Sequence, residues 1–287
     1  MGEGKEAGLL RSARIDGATP VKRLGAPLRT FALYGWTILV FAFIFAPIVS
    51  TVVFSFNADR FPSLPWAGFS LEWYRAIFAD ATLSRSLTNS LIVAGGTAAI
   101  ATFIGFCAAY VDYRYRFFGK SAYMALAALP PTVPVVILGL AMLTFEARIG
   151  LSGTLWGVIA GHVVLCAPFA MALIRMRLAD LDPNLEAAAW NLKGGPWSTM
   201  REVIVPFCLP SIVAALALTA AVSFDEFMIA WFVSGLNETL PVRVLAMLQG
   251  QVSPRINAVG TLVFFVSISL VVLAQILIGR SRRKAVA

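Results

Sequence analysis

Residues 209–233 read LPSIVAALALTAAVSFDEFMIAWFV, an apolar run broken only by small polar residues and two adjacent acids. A helix crossing a bilayer needs about 20 mostly apolar residues, and this run is long enough. Five other runs match it: Phe31–Phe56, Asn89–Val111, Ala122–Phe145, Leu155–Ile174 and Asn257–Gly279. The composition agrees with them. Of 287 residues, 59% are hydrophobic and 13% charged, and the mean hydropathy is +0.81. A soluble domain averages about 45–50% apolar and about 25% charged. Six spans predict an all-α polytopic membrane protein with both termini on one side.

The net charge of +8 reads as topology. Lys5, Arg11, Arg14, Lys22, Arg23 and Arg29 precede span 1, and Arg114, Arg116 and Lys120 follow span 2. Arg175, Arg177, Lys193 and Arg201 follow span 4, and Arg280, Arg282, Arg283 and Lys284 close the chain. By the positive-inside rule this face and both termini are cytoplasmic, with no nucleic-acid patch implied. The first thirty residues lack a short apolar core with a small-residue cleavage site, so a retained first helix is expected. The expected organisation is a cytoplasmic tail (1–30), a six-span domain (31–279) and a basic tail (280–287).

Metal and disulfide chemistry find no frame. Cys107, Cys166 and Cys208 are scattered, and His162 is the sole histidine, so neither a metal spacing nor a disulfide pattern emerges. His162 reads as a packing histidine. Gly119-Lys120-Ser121 is not a phosphate loop, because Arg114 stands where the earlier glycine belongs and no strand precedes it. Asp225 and Glu226 do not form a proteolytic dyad, since neighbours on one helix diverge by about 100°.

The remaining features are local. Ser70–Phe78 has helical apolar spacing, with Trp73 and Tyr74 suited to headgroup depth. Ala94, Gly95, Gly96, Ala98, Ala99, Ala101 and Gly105 predict close helix approach in span 2. Pro130, Pro131 and Pro134 predict a bend in span 3. A charge at the bilayer centre costs about 2.5–3.5 kcal/mol, so Asp225 and Glu226 need compensation. Two readings stand: a structural pair satisfied by an arginine or a partner, or a cation site on a translocation path. On a continuous helix Ser223 shares a face with Glu226, and Asp225 with Val222 and Ile229.

After span 4, Leu178, Leu181, Leu185, Ala188, Ala189 and Leu192 recur at helical spacing. Asp182-Pro183-Asn184 is a helix start, and Gly194-Gly195-Pro196 a stop. Such an amphipathic segment suits a membrane surface or a groove on a partner.

This loop resembles that of bacterial ABC importer permeases. Leu185-Glu186-Ala187-Ala188-Ala189-Trp190-Asn191-Leu192, Gly194-Gly195-Pro196-Trp197, Val203-Ile204-Val205-Pro206 and Leu209-Pro210 resemble the family's EAA loop. Aligned back from Val203–Pro206, the family's glutamate falls on Ala187 and its glycine on Lys193. The chain is most similar to the spermidine/putrescine subclass, through Ser223-Phe224-Asp225-Glu226-Phe227, Phe232-Val233-Ser234-Gly235, Thr239-Leu240-Pro241 and Pro254-Arg255-Ile256-Asn257-Ala258.

The resemblance implies a type I importer permease whose coupling loop, about 178–206, docks on an ATPase through Glu186, Ala187, Ala188, Leu192 and Gly194. It places Asp225, Glu226 and Ser223 at the cationic substrate. It also implies a second permease, two ATP-binding cassette subunits carrying ATP and Mg, an extracytoplasmic binding protein, and a bacterial inner-membrane location. No cofactor and no catalysis are expected of this chain. Arg255 stands where the subclass often has an acid, which disfavours a polycation at the outer mouth. Importers of aminophosphonates, opines or ferric iron share the architecture. A stand-alone ion-driven carrier, with the acids as a proton relay, is the reading from another class; it would have no use for an ATPase dock.

Overall fold

The computed structural model describes residues 26–59, 66, 68–250 and 254–286. The basic tail carrying Lys5, Arg11, Arg14, Lys22 and Arg23 lies outside them. So do the side chains of Arg29, Arg280, Arg282, Arg283 and Lys284.

The chain divides into two units, residues 1–50 and 51–287. The described part of the first is most of helix α1 (Ala26–Phe54), whose Phe31, Trp36 and Phe43 are exposed. Such a surface suits lipid.

The second unit takes in the last turn of α1 and then helix α2 (Glu72–Ala79), the short helix expected at Ser70–Phe78. Its aromatic tips bond back to the chain: Trp73 Nε1 donates to the Asn57 carbonyl at 2.7 Å, and the Tyr74 hydroxyl bonds Ser55 Oγ at 2.7 Å. Asp80 caps α3 (Ala81–Arg114) through the amides of Thr82 and Leu83. The third span is broken as its prolines require. It runs as α4 (Lys120–Ala128), a 3₁₀ turn at Pro130–Thr132, and α5 (Val135–Ile149), because proline removes a donor and crowds the preceding turn.

Thr154 caps α6 (Leu155–Ala179). The polar segment then forms α7 (Pro183–Asn191) and α8 (Pro196–Thr199), and passes through a π turn at Met200–Ile204 into α9 (Val205–Asp225). Beyond lie α10 (Met228–Val233), α11 (Leu240–Gly250) and α12 (Pro254–Val286).

Among the described residues, four helices are long and apolar enough to cross a membrane as single pieces: Thr30–Phe54, Ala81–Arg114, Leu155–Ala179 and Pro196–Asp225. The α4–α5 passage and α12 occupy the other two expected places. No strand occurs among the described residues beyond an isolated bridge between Asn57 and Phe69.

The α3–α6 pair is the most extensive helix contact, and small residues permit it. A Cβ at Gly105 would stand 2.6 Å from the Met171 amide nitrogen, and one at Gly96 2.9 Å from Ile159. Close backbones gain van der Waals contact where lipid supplies no hydrophobic drive. Ala109, Ala170, Ile174, Leu178, Ile204 and Cys208 form one core, and Val93, Val158, Leu165, Ile229 and Val233 form another. Residues 115–119 and 180–204, with Arg116, Lys193 and Arg201, make up the basic face.

Candidate functional site

The acid pair sits at a break in the fifth span. Helix α9 ends at Asp225; Glu226 is extended, with φ −70° and ψ 119°. Its Oε1 accepts from the Ile229 amide at 3.1 Å, so Glu226 caps α10. A carboxylate at a helix start satisfies free N–H groups and meets the positive end of the dipole.

The break overturns the expected faces. Ser223 does not join Glu226: it is buried, and its Oγ bonds His162 Nδ1 at 2.8 Å. Asp225 does not share the face of Ile229: Ile229 is buried, whereas Asp225 is exposed and accepts from Ser267 Oγ on α12 at 3.0 Å. The Asp225 carboxylate lies on the wall of a cavity of about 320 Å³, otherwise lined by apolar groups including Phe227, Pro241, Val244, Leu245 and Val263. Its side chain is thus presented to a space, while that of Ser223 is spent on helix packing.

The sequence reading missed Glu146. On α5 it is fully buried, and neither carboxylate oxygen has a hydrogen-bond partner among the described residues. It packs over Gly157, where a Cβ would come 2.5 Å from Oε2. The signal in the sequence is an acid one residue beyond the expected end of span 3.

On the basic face, Asp182 caps α7 by accepting from the Asn184 amide at 2.9 Å, with Pro183 in the first turn. Ala187, Ala188 and Leu192 are exposed, Leu192 by 85%. Glu186 is not with them. It is buried against α3, where Tyr113 Oη donates to Oε1 at 2.6 Å and Arg114 Nη1 to Oε2 at 3.0 Å. The Arg114 guanidinium also lies over the Trp190 ring, 4.7 Å from its centroid.

Gly194 does not take the left-handed turn that ends α7. Lys193 does, with φ 63°, the one positive φ among described non-glycine residues. The Gly194 amide bonds the Ala189 carbonyl and the Lys193 amide that of Trp190, each at 2.9 Å. This is a Schellman close with lysine at the left-handed position. The glycine expected by gap-free alignment thus falls on the residue whose backbone needs it. Gly194 is required for another reason: a Cβ there would stand 2.7 Å from the Ala189 carbonyl oxygen.

One residue earlier on α3, buried Asp112 joins two further helices. Its Oδ2 meets Arg175 Nε of α6 at 2.5 Å and its Oδ1 meets Lys120 Nζ of α4 at 3.1 Å. Lys120 also donates to the Asp112 carbonyl.

At the opposite end Arg255 is compensated. Its Nη2 reaches Asp80 Oδ2 at 2.9 Å and the Ala76 carbonyl at 3.3 Å. Burial by itself would raise the Asp80 pKa, but the Leu83 and Thr82 amides and the Arg255 guanidinium outweigh it and hold it below the ordinary aspartate value. The charge that seemed adverse to a polycation is spent inside the chain. The nearby 234–239 loop is braced by Asn89 Nδ2 on the Glu238 carbonyl, Asn237 Nδ2 on the Gly153 carbonyl and the Leu240 amide on Ser90 Oγ.

Known proteins match this architecture. The spermidine/putrescine transport system permease protein PotC of Haemophilus influenzae is 32% identical over 250 residues, covering 87% of this chain and 97% of that one. PotC of Escherichia coli is 30% identical over 251 residues, covering 87% and 94%. The putrescine transport system permease protein PotI of Escherichia coli is 32% identical over 243 residues, covering 79% and 85%. Among solved structures, a bacterial ABC transporter involved in the import of the acidic polysaccharide alginate superposes with a TM-score of 0.68 at 16% identity, covering 88% of this chain and 96% of that one. The MetNI methionine ABC transporter gives 0.60 at 18% identity, covering 74% and 99%. The fold is therefore that of a type I ABC importer permease. The family pattern described as the binding-protein-dependent transport system inner membrane component matches residues 101–285, and the chain belongs to that family.

Proposed function

We propose that this chain is one of two permease subunits of an ATP-driven importer that carries a polyamine, putrescine or spermidine, across the bacterial inner membrane. The observation that carries this reading is the Asp225 carboxylate, exposed at a broken membrane helix on the wall of a largely apolar cavity. The names of the polyamine permeases it resembles support it.

A polyamine is a methylene chain with ammonium groups, and the cavity offers surfaces for both. The carboxylate offsets the cost of stripping water from an ammonium, by an attraction that grows as the local dielectric falls. Asp225 closes α9, so the negative end of that helix dipole adds to the attraction. The Phe227 ring on the same wall can meet a cation through its face. The pull must stay moderate, because a site that holds too tightly does not release. Glu226, held by its cap on α10, acts by shaping the break.

Transport follows alternating access. A binding protein delivers substrate to the end bearing Asp80 and Arg255, which faces outward. The basic face is cytoplasmic, and two ATPase subunits bind there against the exposed Ala187, Ala188 and Leu192. ATP is hydrolysed on those subunits, with Mg, and this chain catalyses no step.

The test is uptake of labelled putrescine and spermidine by cells carrying the whole complex, with ATPase co-purification recorded. Asp225→Asn removes a charge-assisted contact of about 1.5–3 kcal/mol, so uptake should fall about tenfold or more with assembly intact. Glu226→Gln keeps an oxygen for the Ile229 amide and should do less harm. Full uptake by Asp225→Asn would sink the cation site. A wild type that carries no ATPase would favour an ion-driven carrier. One that assembles yet moves no polyamine would redirect the substrate to aminophosphonates, opines or iron.

A further inference from the structure

We propose that the triplet Asp112-Tyr113-Arg114 at the end of α3 is a mechanical relay that makes the coupling segment, α3, α4 and α6 move as one block. This rests on the importer reading. These are positioning residues, and none is assigned contact with substrate.

Consecutive helix residues diverge by about 100°, so three in a row address different neighbours. Asp112 takes Arg175 from α6 and Lys120 from α4, at opposite oxygens. Tyr113 and Arg114 together take both oxygens of Glu186 on α7, and Arg114 also covers the Trp190 ring. Three consecutive residues therefore tie together four helices, all within one turn of where α7 would receive a push.

Helix α7 is two-faced. Ala187, Ala188 and Leu192 are exposed, while buried Glu186 is bolted inward. Load arriving on the first face passes through the second into α3. Asp112 and Glu186 are both buried, and removing a partner from a buried charge is strongly unfavourable. The ties thus hold or break rather than stretch, as a rigid transmission requires.

The test uses the complete importer in proteoliposomes, with its ATPase subunits and loaded binding protein. Labelled putrescine uptake per ATP hydrolysed is compared among wild type, Asp112→Asn and Tyr113→Phe. Stimulated hydrolysis should persist in both variants while uptake per ATP falls, by between about twofold and thirtyfold. Glu186→Gln combined with Tyr113→Phe should be no worse than Glu186→Gln alone, as for residues in one network. Tyr113→Phe loses a single hydroxyl and decides the matter if Asp112→Asn does not assemble. An unchanged ratio, or uptake and hydrolysis falling in proportion, overturns the relay and leaves the importer reading standing.

A second readout needs no substrate. Spin labels at Asn184 on α7 and Ala122 on α4 should keep their spacing within about 2 Å when ATP is added to wild type, and lose it in Asp112→Asn. A larger change in wild type overturns the block. A wild type that binds no ATPase overturns the importer reading and the relay with it.

Discussion

At Asp80 one carboxylate holds three donors. It caps α3 and pairs with Arg255, which belongs to α12. Burial works against its charge, and the Leu83 and Thr82 amides and Arg255 overcome that, so its folded pKa lies below the ordinary value. The folded chain therefore gives up this proton more readily than the unfolded chain does. The resulting stability is complete above the ordinary aspartate range and is lost as pH falls through the lowered folded value. Melting of the purified complex between about pH 6 and about pH 3 should show less acid destabilisation in Asp80→Asn than in wild type. An identical acid loss in both would refute the tie. Glu146 is the opposite case, a buried carboxyl with neither oxygen bonded among the described residues, and its environment was invisible to any reading of neighbours in sequence.

At the scale of elements, caps and breakers were the legible part. Asp182-Pro183 starts α7, and the three prolines divide span 3, because both act through the local backbone. The end of α7 shows what local reading misses. Glycines at 194 and 195 marked the stop, yet Lys193 carries the left-handed turn. A side chain there costs about 1–2 kcal/mol. Lys193→Gly should therefore tighten the end of α7, slowing amide exchange over Ala188–Leu192 by about fivefold. Faster exchange in the variant would show that the lysine side chain supports the turn by a contact of its own. The break at Glu226 was missed for a related reason. Apolar residues run on through it, and the carboxylate that bonds the Ile229 amide there looks in sequence like any other acid.

For the whole molecule, orientation is the main expectation still to be measured. With Cys107 replaced by Ser, a cysteine at Leu236 should react with an impermeant thiol reagent only from outside intact cells. One at Leu192 should react only from the cytoplasmic side; both positions are highly exposed, at 95% and 85%. Reversed labelling would overturn the positive-inside assignment. The family membership makes the six passages a shared architecture, and the α3–α6 contact through Gly96 and Gly105 supplies its spine.

The sequence by itself determined the membrane environment, the helical passages, the interrupted third span and the amphipathic segment on the basic face. Each follows from composition, periodicity or backbone chemistry within a few neighbouring residues. Only the tertiary structure decided that Ser223 serves His162, that Asp225 lines a cavity, that Glu186 turns inward, and that Arg255 is neutralised by Asp80. Those outcomes depend on which side chain from a distant helix arrives within about 3 Å, and residues 63 and 175 positions apart, such as the Asp112–Arg175 and Asp80–Arg255 pairs, leave no local trace of one another.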